Sequence, residues 1–361
     1  MNEHSGISDH ATELAEMVRS VLGDHLDDST AGLDAEFDPA LWSVLEETGL
    51  TLLSTPESAG GSGGGPADAA VLLSEAGGYA APVPLAETDL LAGWLLAESG
   101  LPVSTGPLTA VAGELSLRRS AGRVAVAGSL DRVPWARHAR TVAVLVPGPD
   151  GGELVVALPA GSCSVTEGSN LAREPRDGVE VDTELPADAV GPAPQGAGRE
   201  LALRGALARA LQLCGAAERA LELMVRHAGE REQFGRPIAR FQAVTQQIAL
   251  AAGEVAACRA ATDAAVRSVA DGFAAEATAL AVGIAKSRTS AAAGTVAAIA
   301  HQVHGAMGFT LEHRLRLVTT RMWAWREEYG NEAHWDGVIG AAALAAGPEG
   351  VWRMITGGAG H

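Results

Sequence analysis

The sequence is poor in positive charge. Only 26 of its 361 residues are lysine or arginine, against 44 aspartates and glutamates, so the formal net charge at pH 7 is −18. A chain this acidic offers no basic face to nucleic acid or to an anionic membrane, and we expect neither as a partner. Because Lys286 is the only lysine, any cationic contact with a phosphate group is left almost entirely to arginine.

Cysteines and long apolar runs are also scarce. Cys163, Cys214 and Cys258 are too few and too far apart for a disulfide framework or a metal cluster, which predicts no metal and a reducing, cytoplasmic location. The N-terminus shows no basic region followed by an apolar run, so we expect no secretory signal. Lys286 and several hydroxyl groups interrupt the Ala-rich stretch 281–300, which favours a packed bundle helix over a membrane span.

Apolar residues nevertheless make up 47% of the chain, enough for large cores, and the length indicates two or three domains. Helical periodicity broken by glycine and proline predicts an N-terminal α-helical domain at residues 1–105. Short valine-rich runs separated by turns predict a small β domain at 106–197, and long helical periods predict a bundle at 198–361. The predicted fold class is α+β, with strands expected at 123–127, 141–146 and 154–158.

Residues 231–247 form the most informative segment for function. Apolar positions at helical spacing on both sides of it predict two helices, the first ending near Phe234. Gly235 can take a left-handed conformation and Pro237 cannot extend the preceding helix, so together they predict a sharp corner. This corner places charged and amide side chains where two helices meet.

Two polar residues at the corner are candidates for binding a phosphate. Arg231 is expected in the last turn of the first helix and Gln242 in the first turns of the next, within reach of one extended ligand. A guanidinium group there can grip a pyrophosphate through two parallel hydrogen bonds. On spacing alone, the alternative is that Arg231 pairs with Glu230 or Glu232 and that Gln242 is solvated.

The corner resembles a known family signature. The pattern Arg-x-x-Phe-Gly-x-Pro-Ile at residues 231–238, followed by Phe241-Gln242, is similar to the FAD-binding corner of the acyl-CoA dehydrogenases. The pattern Gln-x-x-Gly-x-x-Gly-Phe at residues 302–309 resembles a second motif of that family. Segments 41–50, 56–61 and 81–85 of this chain resemble the N-terminal part of the family.

The resemblance implies FAD as cofactor, an acyl-CoA thioester as substrate and an electron-transfer flavoprotein as acceptor. It also implies an N-terminal helical domain, a small middle β domain and a C-terminal four-helix bundle. The residues that the motifs assign to the adenosine-pyrophosphate part of FAD are Arg231, Phe234, Gln242, Gln302 and Gly305.

The resemblance also suggests a catalytic base. Family members remove the α proton of the thioester with a carboxylate while the β hydrogen leaves as hydride to the flavin N5 atom. Segment 326–334 resembles the family segment that carries this glutamate, and it puts Glu328 at the base position. The alternative is that Glu328 is solvated or salt-bridged beside Arg326. The family's other base position corresponds to residues 204–206, which contain no carboxylate.

One family feature is missing from the β domain. Typical members carry a Thr-Glu-Pro-x-x-Gly-Ser-Asp loop that holds the flavin ring, and its expected location, around residues 86–112, has no such motif. The nearest string, at residues 166–170, lacks the proline and lies too close to the bundle. In the family, the corner motifs reach the FAD of the neighbouring subunit, whereas the loop and the base serve the subunit's own flavin. The chain therefore resembles the smaller subunit of paired-subunit acyl-CoA dehydrogenases, including those of steroid catabolism.

Three hypotheses follow from this pattern. In the first, the chain is one subunit of a hetero-oligomeric acyl-CoA dehydrogenase. Its corner residues would complete the FAD site of a second acyl-CoA dehydrogenase-like subunit, as the cross-subunit half of that site. In the second, the chain is a self-sufficient homo-oligomer with Glu328 as base. In the third, it is a flavin-free structural or thioester-binding homologue, and Arg231, Gln242 and Gln302 would have no ligand.

Overall fold

The computed structural model describes residues 3–26, 36–310 and 313–356. Within this part of the chain the helices are α1 Glu3–His25, α2 Pro39–Glu47, α3 Pro66–Gly78, α4 Trp94–Glu98, α5 Ala197–Glu230, α6 Gln242–Ser268, α7 Glu276–His304, α8 Arg314–Trp325 and α9 Glu332–Thr356. The strands are β1 Leu108–Ala112, β2 Ser116–Ser120, β3 Arg123–Pro134, β4 Thr141–Pro147, β5 Glu153–Pro159, β6 Cys163–Thr166, β7 Arg176–Pro186, β8 Val190–Pro192, β9 Glu232–Gln233 and β10 Arg236–Pro237.

The described residues divide into two compact units. The first unit comprises residues 3–25, 36–72 and 82–205, and the second comprises residues 73–81, 206–310 and 313–356. None of the helices in the described ranges combines the length and the apolarity needed to cross a bilayer.

Capping defines the start of α2 in the first unit. The Asp38 carboxylate accepts hydrogen bonds from the N–H groups of Ala40 at 3.0 Å and Leu41 at 2.9 Å, as a good N-cap residue does. Pro39 fits the first helical turn because no donor is needed there. The residues of α2 that are buried are Leu41, Trp42 and Leu45.

The β part of the first unit consists of two four-stranded sheets, in the orders β1-β4-β5-β8 and β2-β3-β7-β6. Strand β1 runs parallel to β4, and β4 pairs antiparallel with β5. Alternating valines and leucines of both sheets form one core, as in other sheets that bury one face. Strands β3, β4 and β5 confirm the three strands expected from the valine-rich runs.

The second unit is a helical bundle. Helices α5, α6, α7 and α8 all contribute to one hydrophobic core, with side chains such as Met224, Val255, Val296 and Met322. Helix α9 lies outside this core and packs against α7. The predicted order of helical, β and helical parts and the predicted four-helix bundle are confirmed, with α9 as an additional helix.

Candidate cofactor-binding site

The corner is built around a two-residue hairpin turn. Helix α5 ends at Glu230, and β9 pairs with β10 across Phe234 and Gly235, whose φ angles are 53° and 78°. Two consecutive positive φ angles are typical of tight hairpin turns. The Ile238 N–H also donates a hydrogen bond to the Arg231 carbonyl at 2.8 Å. The predicted helix end near Phe234 is wrong by four residues, because hairpin pairing replaces the last helical turn.

The candidate side chains at the corner are exposed to solvent. Phe234 is 93% exposed, and Arg231 and Gln242 also face solvent. Among the described residues, neither the Arg231 guanidinium nor the Gln242 amide makes a hydrogen bond or an ion pair. The pairing of Arg231 with Glu230 or Glu232 is therefore not observed. The full donor set of this arginine remains available to a ligand.

The first turn of α6 adds backbone donors to the corner. Helix α6 begins at Gln242, and its N-cap residue Phe241 offers no side-chain hydrogen bond. The first N–H groups of the helix and the positive end of its dipole therefore point to the corner. Phe241 packs edge-on against Phe234, with ring centroids 6.1 Å apart, and the Arg236 guanidinium lies 4.3 Å from the Phe241 centroid. This combination of groups suits a phosphate.

The second motif lines a cleft at the end of α7. This helix ends at His304, and Gly305 turns the chain with a φ of 61°. Gln302 faces solvent and forms no hydrogen bond with the described residues. The cleft has a volume of about 340 Å³, and its lining residues are Ala297, Ala298, His301, Gln302, Gly305, Phe309 and Trp323. The structure therefore groups Gln302 with Gly305 at the cleft, and Arg231 with Phe234 and Gln242 at the corner.

Three histidines pack together where α5 and α7 end. His227 stacks on His304 with ring centroids 4.5 Å apart, and His304 meets the edge of His313 at 4.9 Å. Burial lowers the pKa of both His227 and His304, and the neighbouring His304 lowers the pKa of His227 further. Within the described ranges, no group of three or more His, Cys, Asp or Glu side chains has the arrangement of a metal site.

We expect the free energy of unfolding to decrease when the pH falls from 7.5 to 5.5. Burial lowers the pKa values of His227, His301 and His304, so in this pH range the folded chain binds fewer protons at these rings than the unfolded chain, whose histidines titrate near the usual pKa of about 6.5. Each histidine contributes at most about 1.4 kcal/mol at pH 5.5. Urea denaturation at both pH values measures the change, and His304→Gln should reduce it. Equal stability at both pH values would contradict this expectation.

Glu328 lies on the turn after α8 and is held in an ion pair. Its Oε2 accepts a hydrogen bond from Nε of Arg209 at 2.7 Å, and the two side chains are 13% and 2% exposed. Arg209 also donates to the Gln212 side chain at 2.5 Å. Arg326, the neighbour expected from the sequence, pairs instead with Glu332. The geometry thus places Glu328 as the counter-charge of a buried arginine, and its role as base stays a prediction.

Lys286 is buried in α7 and holds both ends of the turn that carries Glu328. Its Nζ donates to Ser290 Oγ at 2.9 Å and to the carbonyl oxygens of Arg326 and Gly330, each at 2.8 Å. Burial lowers the pKa of Lys286 to about 7, although the Glu328 charge opposes this shift. From the sequence, Lys286 was not expected to hold this turn. Its position on the buried face of a helical period was the available signal.

The stretch expected to carry a flavin loop is engaged in internal hydrogen bonds. Thr88 Oγ1 donates to the Leu108 carbonyl at 3.1 Å and accepts from the Leu108 N–H at 3.0 Å. Asp89 is 3% exposed and accepts hydrogen bonds from the N–H and hydroxyl groups of Ser54 and Thr55. Burial raises the pKa of Asp89. These polar groups hold the first unit together and point away from solvent.

The string at residues 166–170 belongs to another structural network. Arg137 pairs with Asp177 at 2.5 Å and with Glu167 at 2.8 Å, and it donates to the Gly168 carbonyl at 2.8 Å. Burial acts to raise the pKa of Asp177, but the hydrogen bonds from Arg137 outweigh it and lower that pKa. The network fixes the connection between β6 and β7, which accounts for this string without a flavin.

Two family models match the sequence. The N-terminal domain of acyl-CoA dehydrogenase matches residues 8–102, and the C-terminal domain matches residues 200–342. Together these matches span more than half of the chain. The acyl-CoA dehydrogenase IpdE2 of Mycobacterium tuberculosis is 29% identical over 350 residues, which cover 95% of each chain.

Solved structures match nearly the whole chain. A chain of the ChsE4-ChsE5 complex from Mycobacterium tuberculosis has a TM-score of 0.82 at 24% identity, with 94% of this chain and 98% of that chain covered. A variant of the steroid ACAD Tcur3481-Tcur3483 has a TM-score of 0.80 at 25% identity, with 94% and 99% covered. The matched domains, their order and the shared fold show that this chain belongs to the acyl-CoA dehydrogenase family of oxidoreductases.

Proposed function

We propose that this chain is one subunit of a hetero-oligomeric acyl-CoA dehydrogenase and contributes the cross-subunit half of an FAD site. The proposal depends on one contrast. Among the described residues, the side chains of Arg231, Gln242 and Gln302 are exposed and have no hydrogen-bond or ion-pair partner, whereas Thr88 and Asp89, in the stretch expected to hold the chain's own flavin, are buried in internal hydrogen bonds. Donors that face outward without a partner suit a cofactor bound mainly by another chain.

The donor set at the corner and the cleft fits the adenosine-pyrophosphate part of FAD. Arg231 would hold the pyrophosphate through its guanidinium fork, with the N-terminus of α6 as a second source of donors. Gln242 and Gln302 would hydrogen-bond to the ribose or the purine, and Phe234 would cover the apolar side. No heavy atom surrounds a Cβ position at Gly305, so the chain leaves room beside Gln302. When bound, the flavin supplies the hydride acceptor for oxidation of an acyl-CoA.

The names of two similar structures support pairing between unlike chains. ChsE4-ChsE5 and Tcur3481-Tcur3483 each name two components, and the second is described as a steroid enzyme. We therefore assign the flavin loop and the catalytic base to a second acyl-CoA dehydrogenase-like subunit. The substrate of the pair would be an acyl-CoA thioester, with an electron-transfer flavoprotein as acceptor.

Equilibrium dialysis with FAD tests the proposal. We expect the chain alone to bind little FAD, and the chain purified with a second acyl-CoA dehydrogenase-like chain as its partner to bind one FAD per pair. In that pair, Arg231→Ala should weaken FAD binding roughly 10- to 100-fold, because a hydrogen bond to a charged phosphate contributes about 1.5–3 kcal/mol.

Arg267→Ala is the matched control for Arg231→Ala. Arg267 is exposed near the other end of α6, roughly 37 Å along the helix from Gln242, so its removal should leave FAD binding unchanged. Full flavin loading and full activity of the chain alone would show that the proposed function is wrong. A pair that binds no FAD at all would favour a flavin-free structural role.

A further inference from the structure

The turn after α8, at residues 326–330, has a strained backbone that side chains from two other helices hold in place. Tyr329 has a φ of 54°, and a left-handed conformation is costly for a residue as bulky as tyrosine. Nζ of Lys286, from α7, donates hydrogen bonds to the carbonyl oxygens at both ends of the turn. Between them, Nε1 of Trp335, from α9, donates to the Tyr329 carbonyl at 3.0 Å. The conformation of the turn therefore depends on donors from other elements.

Lys286 is a buried basic group without a carboxylate partner. Its side chain is 0% exposed. Among the described residues, the hydrogen-bond partners of Nζ are the carbonyl oxygens of Arg326 and Gly330 and the hydroxyl of Ser290, and none of these groups is charged. A buried ammonium group is costly unless it is paired with an opposite charge, so this environment favours the neutral amine.

The charged groups around this lysine are engaged with one another. Arg209, from α5, is paired with Glu328 of the turn, and Arg326 is paired with Glu332 of α9. The Glu327 side chain is 58% exposed and lies 3.4 Å from Nε of Arg326. Burial lowers the pKa of the lysine to about 7, with Arg209 acting in the same direction and the three glutamates against it. The lysine therefore gains or loses its charge near neutral pH.

The hydrogen-bond partners of Nζ also suit a neutral amine. An uncharged amine has two N–H donors and one lone pair. The two carbonyl oxygens of the turn can only accept, whereas the Ser290 hydroxyl can either accept or donate. The two donors of the amine therefore serve the two ends of the turn, and its lone pair accepts from Ser290. The neutral side chain holds the turn without an unsatisfied polar atom.

We propose that Lys286 is a neutral amine in the folded chain and that proton uptake at its Nζ loosens the turn at residues 326–330. The turn is then a pH-sensitive switch that controls the ion pair between Glu328 and Arg209. A proton on Nζ adds a positive charge at a buried site beside Arg209, and loosening of the turn brings that charge into water. The inference rests on contacts within this chain and does not depend on the proposed function.

The direction of the pH dependence follows from the burial of Nζ. In the closed turn Nζ is buried, whereas in the loosened turn it is hydrated and its pKa returns to the usual value of about 10.4. The loosened turn therefore binds more protons than the closed turn at neutral pH, and a fall in pH favours it. Between about pH 7 and pH 10 the ratio of the two forms changes by up to about tenfold per pH unit, and below about pH 7 it levels off.

The ionisation of Lys286 can be measured directly, because it is the only lysine of the chain. Labelling the full chain with ¹³C- and ¹⁵N-lysine therefore gives the NMR signals of one lysine side chain. We expect these signals to titrate with a midpoint near pH 7. A midpoint near the usual pKa of about 10.4 would overturn the inference, because Lys286 would then be an ammonium group in the folded chain.

Hydrogen exchange measures the closure of the turn. The N–H groups of Arg326, Glu327 and Glu328 donate hydrogen bonds to carbonyl oxygens at the end of α8, so their protection from exchange reports the closed turn. After correction for the intrinsic exchange rate, we expect this protection in the wild-type chain to be at least about tenfold higher at pH 9 than at pH 7. Lys286→Met, which cannot take up a proton, should remove this pH dependence.

Ser287→Ala is the matched control for Lys286→Met. Ser287 is the next residue of α7, and its hydroxyl donates to Asp336 of α9 and not to the turn, so this variant should keep the full pH dependence. Equal protection at pH 7 and pH 9 in the wild-type chain, or a pH dependence that persists in Lys286→Met, would overturn the inference. The lysine titration needs no variant, so it decides the ionisation even if Lys286→Met fails to fold.

Discussion

Replacing Glu328 with glutamine is expected to lower the free energy of unfolding by about 3 kcal/mol. The Glu328 carboxylate lies 2.7 Å from Nε of Arg209, whose side chain is 2% exposed. Without the carboxylate charge, this buried guanidinium loses the ion pair that it forms with Glu328. Leaving one member of a buried ion pair uncompensated is among the most costly single changes in a protein. Urea denaturation of the purified chain measures the loss.

The same variant distinguishes a structural role of Glu328 from a catalytic one. If the base belongs to the second subunit, kcat of the folded Glu328→Gln pair should stay within about twofold of the wild-type value. A general base usually contributes a factor of about 10² to 10⁴. A loss of that size in a folded, flavin-loaded pair would contradict the half-site proposal and would identify Glu328 as the base of a self-sufficient enzyme.

Glu327→Gln is the matched control for Glu328→Gln. The Glu327 side chain is 58% exposed and lies 3.4 Å from Nε of Arg326. A carboxylate this exposed contributes little through its ion pair, and glutamine can still accept the hydrogen bond from Asn331, so the free energy of unfolding should change by less than about 0.5 kcal/mol. Both variants remove one carboxylate charge from the same turn. A difference between their free energies of unfolding therefore reports the effect of burying the ion pair and not the loss of charge itself.

Replacing Gly215 with alanine is expected to destabilise the chain by about 3 kcal/mol or more. Helices α3 and α5 approach so closely that a Cβ on Gly215 would overlap the Ser74 carbonyl, and a Cβ on Gly77 would overlap the backbone of Gln212. Both obstacles are backbone atoms, which cannot move aside as a side chain would. The higher helix propensity of alanine offsets only about 1 kcal/mol of this cost. The midpoint of urea denaturation should fall accordingly.

Gly229→Ala provides the control in the same helix. Gly229 also lies in α5, but no heavy atom lies within 4 Å of its Cβ position. Alanine there should raise the free energy of unfolding by up to about 1 kcal/mol, because glycine is the poorer helix former. If Gly215→Ala and Gly229→Ala shifted the midpoint equally, the close crossing of α3 and α5 would be refuted.

Local patterns predicted the fold class well. The strands at residues 123–127, 141–146 and 154–158 were expected from valine-rich runs, and they lie within β3, β4 and β5. The start of α6 was expected in the turns around Gln242, where the helix begins. Periodicity over a few residues decides such features, since the side chains of one strand or helix face repeat at a fixed spacing.

Features that depend on residues far apart in the chain were not predicted. Arg209 and Glu328 are 119 positions apart, and no local pattern indicated that they would meet in an ion pair. The end of α5 at Glu230 was missed because a hairpin turn at Phe234 and Gly235 competes with the helix. Tertiary pairing overrides local propensity at such places.

The family resemblance, the order of helical and β parts and the polar corner between two helices could all be inferred from local sequence. Short motifs and the spacing of apolar residues specify these features, because both are local properties of the sequence. The exposure of the Arg231 and Gln242 side chains and the ion pair of Glu328 with the buried Arg209 became evident from the folded structure alone. Exposure and charge pairing depend on how distant segments pack, because burial is a property of the assembled core.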